Sequence, residues 1–204
     1  MPKNRLEAFS DGVFAIVITL LVLEIKIPML PAPVDEAALL SALVAELPML
    51  VSCVVSFVII AVFWVAHHQF FQSVHYADWP LLWLNSLLLF FVVFIPIPTI
   101  LVGTYSTLHA PAILYGVVMG FAGGSFTAMR WYASFVADLV DLPMAARRSA
   151  FRRSLLSPLL NFAGAAIAIW APHGALAVYV LVPIVYFLQP AFMRDPVAAR
   201  REHA

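Results

Sequence analysis

Apolar positions run almost unbroken through six stretches of this chain, and charged or helix-breaking residues fall between them. The first stretch, Gly12 through Leu23, carries no charge, and Glu24, Lys26, Pro28, Pro31 and Pro33 follow it. The pattern predicts helices over about residues 4–27, 37–71, 79–102, 109–138, 150–171 and 174–193. A bend is expected near Pro48, and the third helix is expected to end around Pro96-Ile97-Pro98. Pro158 and Pro183 should bend the fifth and sixth. Asp78 stands where the third helix opens, at its positive dipole end. Gly116, Gly120 and Gly124, with Gly123 beside them, offer the fourth helix a small-residue face for close packing.

Composition turns six helices into six membrane spans. The chain is 64% hydrophobic and 11% charged, with a mean hydropathy of +0.98. The expected fold is an all-α polytopic membrane protein, one domain over residues 1–204, with no linker long enough for a soluble domain. Zero net charge argues against a nucleic-acid partner, and nothing points to a small-molecule substrate or a bound cofactor. The lone Cys53, in an apolar run, rules out a disulfide framework and reads as an inert buried thiol. The Met1-to-Arg5 start looks like a secretory n-region, but Glu7 and Asp11 interrupt it, so a retained first helix is expected. Lys3 and Arg5 precede helix 1. Arg147, Arg148, Arg152 and Arg153 are assigned to the loop between helices 4 and 5, and Arg194, Arg200 and Arg201 follow helix 6. The positive-inside rule then places both termini and the arginine-rich loop in the cytoplasm. Those arginines read as topology signals, or as contacts for anionic membrane lipids.

The first helix carries the candidate chemistry. Asp11 and Glu24 are separated by twelve uncharged residues, roughly 18 Å of helix against a hydrocarbon core of about 30 Å. One of these carboxylates must therefore lie near or below the lipid surface, where ionisable groups mark function. At about 100° per residue, Arg5, Phe9, Ile16, Thr19, Leu20 and Leu23 share one side. Ser10 and Asp11 project to the other. The aliphatic stripe faces lipid, another helix or a pore. Ser10 and Asp11 need donors, and Trp64, His67 and His68 on helix 2 and Asn85 on helix 3 lie at the matching depth. His67 and His68 read as structural hydrogen-bonders, pH sensors or zinc ligands, whereas His75, His109 and His173 carry no signal. Glu24 is either an attractor of cations at a pore mouth or a partner of Lys26. Asp11 with His67 and His68 could instead form a proton relay. Ser10, His68 and Asp11 lack the spacing and the oxyanion-hole motif of a hydrolase, so no enzyme activity is expected.

Arg5-x-x-x-Phe9-Ser10-Asp11 and its continuation through Glu24, Phe63-Trp64-Val65-Ala66-His67-His68, and Asn85 with the later Pro-Ile-Pro-Thr resemble the endosomal/lysosomal potassium channel family in its prokaryotic branch. The resemblance implies a homotetramer of six-helix subunits, with helix 1 of each lining a central pore. It implies a constriction of bulky aliphatic rings, first at Ile16 and then at Leu20 and Leu23, with a hydroxyl ring at Thr19 and potassium passing transiently between them. Arg5, Phe9, Ser10, Asp11, Trp64, His67, His68 and Asn85 are then the signature network around that helix. No conventional filter loop is present; the nearest string, Val102-Gly103-Thr104-Tyr105, has the wrong order and is assigned to a short external loop. The function implied is passive potassium conduction with modest preference over sodium, and the competing reading is proton conduction or proton-coupled transport through Asp11 and His67/His68.

Overall fold

A computed structural model describes residues 3–26, 29, 30, 32 and 35–187. Helix α1 spans Lys3–Leu23, α2 Glu36–Ala45, α3 Leu47–Gln72, α4 Trp79–Phe94 and α5 Pro96–Thr104. Helix α6 spans His109–Trp131 and runs on through a π-helical turn, Tyr132–Val136; α7 spans Met144–Ala168 and α8 Pro172–Phe187. The described residues are all-helical apart from one isolated antiparallel bridge between Val74 and Val140. Among the described residues four segments are long and apolar enough to cross a membrane: Lys3–Leu23, Leu47–Gln72, Trp79–Thr104 and His109–Val136. Helix α7 is as long but carries four arginines in its first ten residues, and α8 is shorter. The predicted sixth helix extends to 193, and its last part, with Arg194, Arg200 and Arg201, lies outside the described residues.

The prolines act differently from the expectation at two places. The second predicted helix divides at Glu46 into α2 and α3, with Pro48 in the first turn of α3, where a missing N–H costs nothing. Pro96, expected to end the third span, instead restarts it as α5. Ile95 keeps helical dihedrals, so the segment runs on to Thr104. The Thr99 hydroxyl donates to the Ile95 carbonyl at 2.8 Å and contacts Ser56 Oγ at 2.7 Å, and Ser56 Oγ in turn lies 3.0 Å from Tyr115 Oη. That buried hydroxyl chain ties α3, α5 and α6 together. Pro158, inside α7, cannot donate to the Ser154 carbonyl one turn back; Thr127 of α6 supplies that bond at 2.8 Å.

The arginine-rich segment is a second correction. Arg147, Arg148, Arg152 and Arg153 are not in a loop but in α7, which starts six residues earlier than predicted. Arginine is a good helix former, so charge alone was a poor loop signal. Arg147 closes the preceding turn. It donates to the Leu142 carbonyl at 2.8 Å and the Ser134 carbonyl at 2.9 Å, and it also binds the Val140 carbonyl and the Asp138 carboxylate. Asp138 holds a positive φ of 50°, a conformation that Asp tolerates better than most residues.

Packing of α6 on α7 and α8 uses Gly116, Gly120 and Gly123. A Cβ at Gly116 would lie 2.2 Å from Tyr179 Oη and 2.7 Å from the Asn161 carbonyl; at Gly123 it would lie 2.8 Å from Ser157 Oγ. Gly124, expected on the same face, has open space beside it. Buried Phe14, Ile60, Phe71, Leu81, Leu88 and Met119 join α1, α3, α4 and α6 in one core. Large apolar side chains such as Trp83, Phe90 and Leu159 point outward, as a lipid-facing surface requires.

Candidate functional site

Helix α1 has two faces. Leu6, Ser10, Phe14, Val17 and Leu21, spaced four, four, three and four apart, are buried against the bundle. Arg5, Phe9, Gly12, Ile16, Thr19, Leu20 and Leu23 are exposed, Ile16 by 60% and Leu23 by 76%. Among the described residues no neighbouring helix covers the aliphatic stripe. The Thr19 hydroxyl donates to the Ile16 carbonyl at 2.8 Å. Its proton is thereby committed to the helix backbone, and its oxygen keeps lone pairs free to accept.

Behind the stripe, the polar residues form two separate groups rather than one cluster. In the first, Ser10 Oγ donates to the Leu6 carbonyl at 2.9 Å and accepts from Asn85 Nδ2 at 3.0 Å. Asn85 Oδ1 lies 2.7 Å from His67 Nε2. The amide oxygen can only accept, so the His67 proton sits on Nε2. Ser10 and Asn85 are fully buried and His67 is 1% exposed. The imidazole is wedged between the Phe14 ring, edge-on at 5.6 Å, and Phe71 at 4.5 Å. This chain of three residues joins α1, α4 and α3 at one depth.

The second group lies at the rim. Trp64 Nε1 donates to Asp11 Oδ1 at 2.9 Å. The Trp64 ring stacks on His68 with centroids 6.0 Å apart, and His68 Nε2 lies 3.0 Å from Gln72 Nε2. Asp11 is exposed, on the border of the open face, so adjacent signature residues have different partners because 100° of helix rotation separates them. A relay from Asp11 through the histidines is broken in this arrangement. Asp11 meets an indole, which only donates, and His67 is bonded to Asn85 instead. The Ser10 hydroxyl donates to the Leu6 carbonyl and accepts from Asn85, and neither bond is to a histidine.

Arg5 is exposed, and the two carboxylates near it in sequence are engaged elsewhere: Glu7 lies 3.8 Å from Lys3 Nζ, and Asp11 is bonded to Trp64. Lys3 also donates to the Val74 carbonyl at 2.9 Å. At the other end of α1, Glu24 and Lys26 line a polar cavity with Glu46 and Gly103. Val102, Gly103 and Thr104 are the last turn of α5 rather than a loop. Helical backbone has most of its carbonyls bonded along the axis and cannot line a carbonyl filter.

A family model described as the endosomal/lysosomal potassium channel TMEM175 matches residues 5–96, the segment that holds both polar groups and the stripe. A Streptomyces collinus protein named as a potassium channel is 41% identical over 191 residues, covering 87% of this chain and 90% of that one. The chain belongs to the TMEM175 family. It is a multi-pass membrane protein of that family. The crystal structure of a TMEM175 homologue from Chamaesiphon minutus, described as a lysosomal potassium-selective channel, superposes with a TM-score of 0.81 at 31% identity, over 91% of this chain and 96% of that chain. Human TMEM175, named as an endosomal/lysosomal proton channel, is 40% identical over 102 residues, 48% of this chain but 20% of its own length. Within this TMEM175-family chain, sequence reading missed Arg147 as a clamp, the hydroxyl chain Thr99–Ser56–Tyr115, and Arg130. The only available signals were an arginine late in an apolar helix and a threonine after two prolines.

Proposed function

We propose that this TMEM175-family chain forms a potassium-permeable cation channel. It is a homotetramer of six-span subunits in a prokaryotic plasma membrane, with both termini cytoplasmic and α1 lining the pore. The observation that carries this reading is the uncovered stripe Ile16, Thr19, Leu20 and Leu23 on a helix whose opposite face is locked into the bundle. One subunit presents one Ile16, which cannot encircle an ion; copies about a cyclic axis can. A ring of isoleucines offers no ligand to replace lost water, so an ion passes partly dehydrated, and potassium surrenders water more readily than sodium. Such a ring also closes by dewetting. Thr19 oxygens add a polar ring one turn away. Glu24 raises the local cation concentration at the mouth. Arg5, free of its own carboxylates, takes acceptors from a neighbouring subunit, which keeps four positive charges from blocking the entrance.

The test is the full chain in liposomes, with potassium and sodium flux measured separately. Wild type should pass potassium faster than sodium. Ile16→Asn should raise total flux and narrow the difference between the ions. Unchanged permeation in Ile16→Asn, or potassium flux from a species shown to be monomeric in the bilayer, would overturn the proposal.

A further inference from the structure

A half-open cavity of about 790 Å³, mouth included, lies among α3, α6, α7 and α8. Its wall is mostly apolar, with Ile59, Phe63, Phe126, Val182 and Pro183 among the lining residues. Two arginines line it as well, Arg130 from the last turn of α6 and Arg153 from α7, and among the described residues no carboxylate does. The Arg130 guanidinium lies over the Phe126 ring at 5.0 Å and the Phe70 ring at 5.4 Å. The rings stabilise its faces, but its Nε is buried with no hydrogen-bond partner among the described residues. Arg153 is exposed at the mouth, where it donates to Ser149 Oγ at 2.8 Å.

A guanidinium inside a membrane bundle, beside a second cation and without a carboxylate, is costly to keep. An oxyanion resolves both the charge and the orphaned N–H, and guanidinium binds phosphate through paired N–H donors. The apolar wall below the two arginines suits hydrocarbon rather than a hydrated ion. We infer that this cavity is a binding site for an anionic phospholipid, with its phosphate between Arg130 and Arg153 and an acyl chain along α3 and α8. It is a site of the single subunit, formed by α3, α6, α7 and α8 and separate from the polar chain Ser10–Asn85–His67.

The test uses the full-length protein in detergent, incubated separately with dioleoylphosphatidylglycerol, dioleoylphosphatidylcholine, oleate and inorganic phosphate, with retained adducts counted by native mass spectrometry. Phosphatidylglycerol should be retained in preference to phosphatidylcholine, and both Arg130→Met and Arg153→Gln should weaken it about fivefold each. Methionine keeps the contact with the two phenylalanine rings. Arg152→Gln, an exposed neighbour outside the cavity, should match wild type. A phosphatidylglycerol with a diazirine in its acyl chain should label peptides of α3 and α8. This readout on wild-type protein decides the matter even if Arg130→Met fails to fold. Equal retention of the two phospholipids, an equal loss in Arg152→Gln, or labelling that spares α3 and α8 would overturn the site. Tighter retention of oleate or inorganic phosphate than of phosphatidylglycerol would overturn the phospholipid as its occupant.

Discussion

Helices α1 and α6 are both apolar enough to cross a membrane, yet the bundle covers them very differently. Of the most apolar stretch of each, 28% is buried in the first span and 67% in the span of α6. Helix α6 meets its neighbours through absent side chains, with Gly116 and Gly123 admitting Tyr179 and Ser157 to within contact of its backbone. Helix α1 meets its neighbours through a narrow buried seam and one three-residue polar chain, and leaves a row of large aliphatic groups uncovered. In lipid, apolar surface gains little by hiding from hydrocarbon, so close fit and hydrogen bonds decide which helices associate. The well-fitted helix is scaffold. The poorly covered one, bearing the family signature, is the element that still has surface to give to copies of the chain or to an ion path.

The contrast can be broken hardest at α6. Gly116→Leu drives a side chain into Tyr179 and the Asn161 carbonyl, and overpacking of this kind costs about 1–3 kcal/mol or more. Loss of monodisperse protein on size exclusion, or a large drop in melting temperature, is the expected result. Gly124→Ala meets nothing within 4 Å and should be neutral or stabilising by about 0.5–1 kcal/mol. Equal effects from the two would remove the distinction between these glycine positions.

A smaller loss is expected in the buried seam of α1. Asn85→Leu leaves the His67 Nε2–H without its acceptor while Ser10 keeps the Leu6 carbonyl, and one buried unsatisfied group costs about 1–3 kcal/mol. The variant should melt well below wild type. Asp11→Asn keeps an acceptor for the Trp64 indole at a rim position, so its melting temperature should fall less than that of Asn85→Leu. If Asp11→Asn proves the more damaging, the rim group and the buried chain form one unit after all.

On the open face the stability effect should be smallest. Ile16→Asn and Thr19→Val replace side chains that the subunit does not bury, and surface changes usually stay within about 0.5 kcal/mol. Their melting curves should overlay wild type while ion flux changes, most for Ile16→Asn. Thr19→Ser, which keeps the hydroxyl oxygen, should retain the ion preference that Thr19→Val reduces. A collapse of stability in Ile16→Asn would mean that the stripe is packed in the working assembly rather than open to a path.

Much of the candidate site was legible before folding. Apolar runs announce membrane helices because the bilayer demands them. A helix wheel is enough to separate Ile16, Leu20 and Leu23 from Ser10. Trp64, His67 and Asn85 could be nominated as donors because depth in a bilayer can be counted along each helix. The wheel could not set the width of the buried arc. Ser10 and Asp11 therefore looked like companions, although one is sealed against Asn85 and the other lies at the rim with Trp64.

What the sequence by itself determined is the one-dimensional part: an all-helical membrane chain, its order of spans, the uncharged stripe of α1 and the signature that places it in a family. The tertiary structure alone decided which faces meet. It made Pro96 a restart rather than a stop, because Ile95 stays helical and Thr99 takes up its carbonyl. It drew Arg147 out of the loop into α7 and gave it carbonyls from the preceding turn, and it left Arg130 Nε sealed beside a cavity with no acceptor among the described residues. Each of these depends on atoms brought together from distant parts of the chain. Hydropathy records how much a residue avoids water; the partner that a buried N–H or carbonyl finds is settled only when helices from elsewhere in the chain arrive beside it.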